Sequence, residues 1–426
     1  MIRQSVLPFK LEKTGDTITA QAGLALFGEF CVGLDLLGAV DSCLPGPGSG
    51  AGFKASEYVF PLVLMLNGGG RSLEDIRVIR DDIGLREILP LKRVPSSDAI
   101  GDWLRRMGVC GGLSGLEQVI RKLLKRGMKY DGLKSYTLDI DATGIEAEKQ
   151  SAMMTYKGYT GYMPIVGHLA ENSLVVGEEF REGNVSPGAR NLAFIEYCVR
   201  QMPRGKKIGA FRADSASYQA DIINYCDENG LEYAIGADLD KAVVRAIDAI
   251  DDAGWSPYAD GHIAETVHCM NRTKKSFRLI IVRRPYQGSL LGEDDPKLKY
   301  TAIATNKDEK ARDVLAWYNQ RSDKSENRIK DLKIGFGMER MPCGQTQANA
   351  MFFRIGALAY NCYRLFVLKT LDKSWHKYQV QTLRWRLYQA AGKIVDHSNR
   401  VFLKVRRNFY TLFKVIRIKT WEFAHT

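Results

Sequence analysis

The chain has 426 residues, enough for two or three domains around a sizeable core. Its 45% hydrophobic and 26% charged residues are those of an ordinary globular protein, whereas a formal net charge of +12 favours a polyanionic partner, nucleic acid before an anionic membrane surface. The longest clean apolar run, VFPLVLML at 59–66, is too short to span a bilayer, and the opening MIRQSVLPFKLEKTGDT has no secretory pattern, so no membrane partner and a cytoplasmic, nucleoid-associated location are expected. Eight cysteines without a C-x-x-C pair are expected to be reduced thiols. His262, His268 and Cys269 come nearest to a zinc pattern but lack a second well-spaced pair.

In chain order, residues 1–130 are expected to be mainly helical, with turns at LPGPGSGAG (44–52) and NGGG (67–70). No Lys-Ser/Thr follows these glycines, so a phosphate-binding loop is not indicated. SLEDIRVIRDDIGLREIL (72–89) has apolar residues at helical spacing after a Ser cap, and PSSDAIGDWLRRM (95–107) predicts a second helix. A helix-turn-helix and an ordinary helical hairpin both fit this pair.

From 131 the pattern changes. SYTLDIDAT predicts a strand, and segments 162–170 and 173–180 a hairpin around Glu171-Asn172. A helix over 189–202, a strand over 206–214, a helix over 217–230 stopped by Gly230 and a strand over 232–237 follow. That order predicts an α/β fold: a mixed sheet with helices on both faces, built over 131–238. Residues 239–305 alternate like antiparallel strands and read as a β-rich insertion before the closing helix, 308–337. The core would close over 306–370, where FFRIGALAYNCYRLFVL (352–368) reads as a buried helix despite Arg354 and Arg364. The remaining 371–426 form a basic helical tail. Between 373 and 420 twelve Lys and Arg face one acid, Asp396, with aromatics interleaved. Arg384, Arg386, Arg406 and Arg407 are the candidate contacts to a DNA backbone there.

LDIDATG (138–144) carries the chemistry. On a strand Asp139 and Asp141 share one face, and paired carboxylates need either solvent or a cation between them. Asp141 ends the first strand and Asp214, in FRADSASY, ends the fourth; those ends are neighbours in the expected sheet. Glu326, in SENRIKDLK after the insertion, is the candidate third acid. Three converging carboxylates suit two Mg²⁺, with Mn²⁺ a possible substitute, and such a pair cleaves phosphodiesters.

LDIDATG, YKGYTGYMP (156–164), EEFREGN (178–184), RADSASY (212–218), YNQRSDKSENRIKDLKIGF (318–336) and ANAMFFRIGALAYN (348–361), in this order, resemble DDE insertion-sequence transposases of the Tyr-Arg-Glu-Lys signature branch. The resemblance implies an RNase H-like core and Asp141, Asp214 and Glu326 as metal-binding catalytic acids. It implies Tyr318, Arg321 and Lys333 on DNA phosphates near the cleaved transposon end, and a homodimer pairing the two ends. Asp139 would be a neighbour in contact with solvent. One departure stands out: four residues, SDKS, separate Arg321 from Glu326 where the family pattern has three, a shift from i,i+4 to i,i+5 that turns Arg321 away from the Glu326 face. Either a single-turn π-bulge absorbs it or Arg321 does not play its usual part. Lys330 and Lys333 share the face of Glu326, and Asp323 and Glu339 are the alternative acids.

The function expected is cutting at inverted-repeat ends and joining the 3′-hydroxyl to target DNA, with the N-terminal helices and the tail holding double-stranded DNA. Two other readings compete. One is a transposase-derived DNA-binding protein without chemistry. The other is a tyrosine recombinase, to which DHSNR (396–400) and Tyr410 are similar, although no partner arginine is evident. No His-hydrophobic-His pair supports a single-strand replicative transposase.

Overall fold

The computed structural model describes residues 9–285, 298–398 and 400–426, with the side chains of 322–327 also outside the description. Its centre is a nine-stranded sheet. The strands are β1 (Ser135–Ala142), β2 (Ile165–Leu169), β3 (Val175–Glu179), β4 (Lys207–Ala213) and β5 (Glu232–Ala237), then β6 (Ser256–Tyr258), β7 (Gly261–His268), β8 (Phe277–Pro285) and β9 (Leu298–Thr305). Their spatial order is β6-β7-β8-β9-β5-β4-β1-β2-β3.

The first five form an RNase H-like unit. β1 pairs antiparallel with β2 and parallel with β4, and β4 is parallel to β5. The parallel steps need helical crossovers, and α6 (Asn191–Gln201) and α7 (Ala220–Glu228) supply them. The insertion does not form a separate sheet: β9 pairs antiparallel with β5, so the core sheet continues into it. It also contains a helix that alternation alone did not predict, α8 (Lys241–Asp248), started by Asp240, whose Oδ1 accepts the Ala242 and Val243 N–H groups at 2.8 and 2.9 Å.

The two long helices after the insertion are α9 (Ala311–Lys330) and α10 (Thr346–Thr370). α10 is buried along most of its length, and its Arg354 ion-pairs with the buried Glu178 of β3. A charge inside the core is tolerable only with such a partner.

The N-terminal region is helical, with α1 (Ala22–Gly33), α2 (Leu36–Cys43), α3 (Ala55–Gly68), α4 (Ser97–Val109) and α5 (Gly112–Gly127) as its longer helices. The continuous helix expected over 72–89 is broken into the short turns Leu73–Ile76, Arg77–Arg80 and Ile83–Ile88. Asp82 is the cause: its carboxylate accepts the Leu85 N–H at 2.9 Å and the Thr19 hydroxyl at 2.6 Å, which restarts the helix there. The tail also differs from an all-helical expectation. Gly392–His397 and Arg400–Val405 form a hairpin that pairs with Thr17–Thr19, and only then does α11 (Arg407–Ala424) begin. The β-branched and aromatic residues of V-F-L-K-V (401–405) favour a strand, which a count of cations did not weigh. No single helix among the described residues is long and apolar enough to cross a membrane. All eight cysteines are free thiols.

Candidate active site

β1 and β4 lie side by side in parallel with Asp139 opposite Arg212. Two residues further on, the same register sets Asp141 beside Asp214 at the C-terminal edge of the sheet. Asp214 begins a short turn, its Oδ1 accepting the Ala216 N–H at 3.2 Å, and its side chain is about half exposed. The Asp141 side chain is one-quarter exposed.

α9 crosses this edge. Arg321 extends Nη2 to 3.8 Å from Asp141 Oδ1 and 4.0 Å from Asp214 Oδ2, and toward the Ile140 carbonyl at 3.5 Å. Two carboxylates therefore bracket one guanidinium at a distance longer than a charge-assisted hydrogen bond. The buried Arg321 Nε–H has no acceptor among the described residues. Tyr318, one turn earlier, rests against β5, where a Cβ on Gly236 would come within 2.9 Å of the tyrosine hydroxyl oxygen. The absence of a side chain at Gly236 leaves room for the tyrosine hydroxyl there. Burial raises the Tyr318 phenol above its usual range.

The helix then widens into a π-helical turn, Asp331–Gly335. Lys333, on that turn, donates to the Gly144 carbonyl at 2.6 Å, just beyond the Asp141 strand end. Burial lowers its pKa, with Glu339 and Asp141 acting in the opposite sense. Lys330 is exposed at the end of α9. Of the two alternatives for the extra residue, the π-bulge between Arg321 and Glu326 is not there: the α-helix is continuous through 311–330 and the wide turn follows it, so the i,i+5 spacing of Arg321 and Glu326 is kept. The side chains of Glu326 and Asp323 lie outside the described residues. Glu339 is half-buried beside Lys333. Among the described residues no three His, Cys, Asp or Glu side chains converge to hold a metal, and His262, His268 and Cys269 form no such site.

Asp139 is not in contact with solvent. It is completely buried and bound by Arg212 through Nε–Oδ1 at 2.7 Å and Nη2–Oδ2 at 2.9 Å, with Arg328 Nη1 at 3.4 Å. Arg212 also donates to the Trp317 carbonyl of α9, and Arg328 to the Ala170 carbonyl at 2.7 Å. His168, opposite Asp139 on β2, is fully buried, and burial with Arg328 nearby pushes its pKa down to about 3, so the imidazole is neutral. One layer beneath Asp141 and Asp214, a carboxylate and two guanidiniums thus pin β1, β4 and α9 together. Neither Arg212 nor Arg328 stands out in the motifs, although for Arg212 the D-x-D of one strand and the R-x-D of its neighbour are a visible signal, charges of opposite sign two residues before each acid; Arg328 has no such local signal.

The tail candidates divide. Arg384 is buried, donating to the carbonyls of Asn67 (2.6 Å), Leu66 (2.7 Å) and Gly335 (2.5 Å), so it closes the C-terminal end of α3 and is not available to DNA. Arg386 is exposed, with its guanidinium 5.0 Å over the Tyr378 ring. Arg406 and Arg407 are exposed where α11 starts. His397 and Arg400 face each other at the end of a β-hairpin, and Tyr410 is on the surface of α11.

A five-stranded RNase H-like unit with paired aspartates at the ends of its two central parallel strands defines the class of this protein. The family described as transposase DDE domain group 1 matches residues 4–414, and the chain belongs to that family. Among solved structures it is similar to the piggyBac transposase synaptic complex with hairpin DNA, at a TM-score of 0.45 and 10% identity, covering 97% of this chain and 84% of that chain. A search of curated proteins finds no match.

Proposed function

We propose that this transposase cuts DNA at inverted-repeat ends and joins the freed 3′-hydroxyl to target DNA, with Asp141, Asp214 and Glu326 as its catalytic acids. The observation that carries the reading is the pair of carboxylates bracketing one cationic group at adjacent parallel strand ends. Hard carboxylate oxygens at neighbouring strand ends are the donor type that suits Mg²⁺, or Mn²⁺ in its place. When bound, such ions would supply activation of the attacking oxygen and neutralisation of the leaving one.

The chain's own residues carry the rest. Asp141 and Asp214 hold the cation side of the site and Arg321 turns from them to a phosphate oxygen of the DNA end. Its acceptor-free Nε–H and long carboxylate contacts support that exchange. Lys333, fixed to the Gly144 carbonyl, and Tyr318, wedged against β5, hold the same backbone in register. Lys330 adds charge beside them. Because the attacking group is a water or a hydroxyl of the DNA itself, no covalent protein intermediate is needed, and positioning with electrostatics provides the rate. The N-terminal helices and the exposed tail cations would hold the ends, two protomers would pair them, and the protein would act at the nucleoid in the cytoplasm.

The test is cleavage of DNA carrying the ends that flank the gene, with Mg²⁺, by the wild type and by Asp141→Ala, Asp214→Ala and Glu326→Ala. Cleavage should fall by at least a thousandfold in the first two variants while DNA affinity changes little. Cleavage undiminished in either aspartate variant would overturn the assignment. Full cleavage by Glu326→Ala would move the third acid elsewhere.

A further inference from the structure

A second concentration of charge lies outside the tail. Segment 122–134 carries five Lys and Arg and segment 203–207 three, against the single acid Asp131. The fold brings the two segments together. Lys206 Nζ pairs with Asp131 Oδ1 at 2.5 Å, the Lys207 N–H donates to the Lys134 carbonyl at 2.9 Å, and Ser135 and Lys207 are register partners where β1 and β4 begin. With Phe423 of α11 and Thr426 just beyond it, α5 and the 203–207 turn enclose an open concavity of about 540 Å³, with Lys125, Lys129, Arg204 and Lys206 on its wall. Lys125 and Arg204 on that wall, and Lys134 and Lys207 where the two strands begin beside it, are exposed and form no ion pair among the described residues. Lys122 and Arg126 bond to a hydroxyl and a carbonyl oxygen, which leaves their charge unneutralised.

Cations gathered on one surface in large excess over the single acid that pairs with one of them form an electrostatic footprint for a polyanion. Its position is informative. The strands that begin at this concavity end at Asp141 and Asp214, and seven residues at about 3.3 Å each separate the two ends by about 23 Å. At 3.4 Å per base pair that span corresponds to about seven base pairs of duplex.

We propose that this concavity is a second binding surface for double-stranded DNA, engaging backbone phosphates at least about seven base pairs from the bond held at the carboxylates. The proposal rests on the reading that duplex DNA is the substrate. It favours DNA over an anionic membrane because the cations line a hollow at the end of the same strands that carry the acids.

The probe is a fluorescein-labelled 40-base-pair duplex, titrated with the full chain by anisotropy over a range of KCl concentrations. The comparison is the quadruple variant Lys125→Ser/Lys134→Ser/Arg204→Ser/Lys207→Ser, its fold checked by thermal melting. Each lost phosphate contact lowers the slope of log K against log salt by about 0.9, so a fall of about 3 to 4 and at least tenfold weaker binding near 100 mM salt are expected. A variant slope equal to that of the wild type overturns the proposal. So does an unchanged slope combined with lost co-sedimentation on phosphatidylglycerol vesicles, which would assign the hollow to a membrane. Cleavage is read separately. A lowered slope in a protein that never cuts would sink the catalytic reading alone, and normal cutting with an unchanged slope would sink this one alone.

Discussion

Asp139 shows how much of this site is decided below the acids that do chemistry. A carboxylate with no solvent exposure is stable only when its charge is compensated, and Arg212 compensates it with two parallel hydrogen bonds. Removing the carboxylate leaves Arg212 and Arg328 buried against each other, so Asp139→Ala should cost about 3–5 kcal/mol, read from the midpoint of urea unfolding. Asp139→Ala/Arg212→Ala should cost clearly less than the sum of the two single changes, because each single change strands a charge that the double change does not. Strict additivity would mean that the pair is not coupled. From the sequence, alternation alone established that Asp139 and Asp141 share a face, and the strand order made Asp141 and Asp214 neighbours. What alternation could not reveal is depth. Asp139 is one pleat further from the sheet edge than Asp141, and that single step separates a buried structural ion from one that is one-quarter exposed. A strand's own sequence does not record which helix crosses it, or where.

At the level of elements, α9 and the turn after it were readable as a unit but not in detail. The extra residue in SDKS suggested a local widening between Arg321 and Glu326, whereas the widening falls at Asp331–Gly335. Tertiary bonds hold it there: the Asp331 carboxylate accepts the Val380 N–H at 3.3 Å and the Gly335 carbonyl accepts from Arg384. Those partners lie about fifty residues downstream, beyond any local pattern. Arg384 accordingly belongs to the architecture and Arg406 and Arg407 to the surface, although composition weighted all three alike. Arg384→Ala strips three carbonyls of their donor and should destabilise the fold by on the order of 3 kcal/mol while leaving the salt dependence of DNA binding unchanged. Arg406→Ser/Arg407→Ser should do the reverse, sparing the melting temperature and lowering the salt slope by up to about 1.8. Anisotropy titrations and thermal melts on the two variants check both halves. A drop in slope for Arg384→Ala in folded protein would return that residue to the DNA surface.

Over the whole molecule, the two ends of the described chain are interlocked. Thr17–Thr19 adds a strand to the 392–405 hairpin, and the Ala22 N–H donates to the Ala390 carbonyl at 2.8 Å. α11 then lies along α1, with Phe423 stacked on Phe30 at 5.2 Å and Arg417 gripping Glu29 through Nε and Nη2 at 2.9 Å. Phe413 and Ile416 are buried in the same continuous core that contains α1, α3 and α10. A basic segment merely appended to the core could be removed without consequence for the helices at the other end of the sequence. This arrangement predicts otherwise. Burying a Phe or Ile side chain contributes about 1.5–3 kcal/mol, so deleting 406–426 forfeits on the order of 5 kcal/mol, comparable with the whole stability of many domains. Amide hydrogen exchange should accordingly accelerate in Ala22–Gly33 when 406–426 is deleted, by a hundredfold or more, while β1 and β4 at the centre of the sheet respond less. Unchanged protection in Ala22–Gly33 would show the tail to be an independent attachment. Increased exchange there would mean that charge and scaffold cannot be separated in α11, so its contribution to DNA binding must be measured by single surface substitutions and not by truncation.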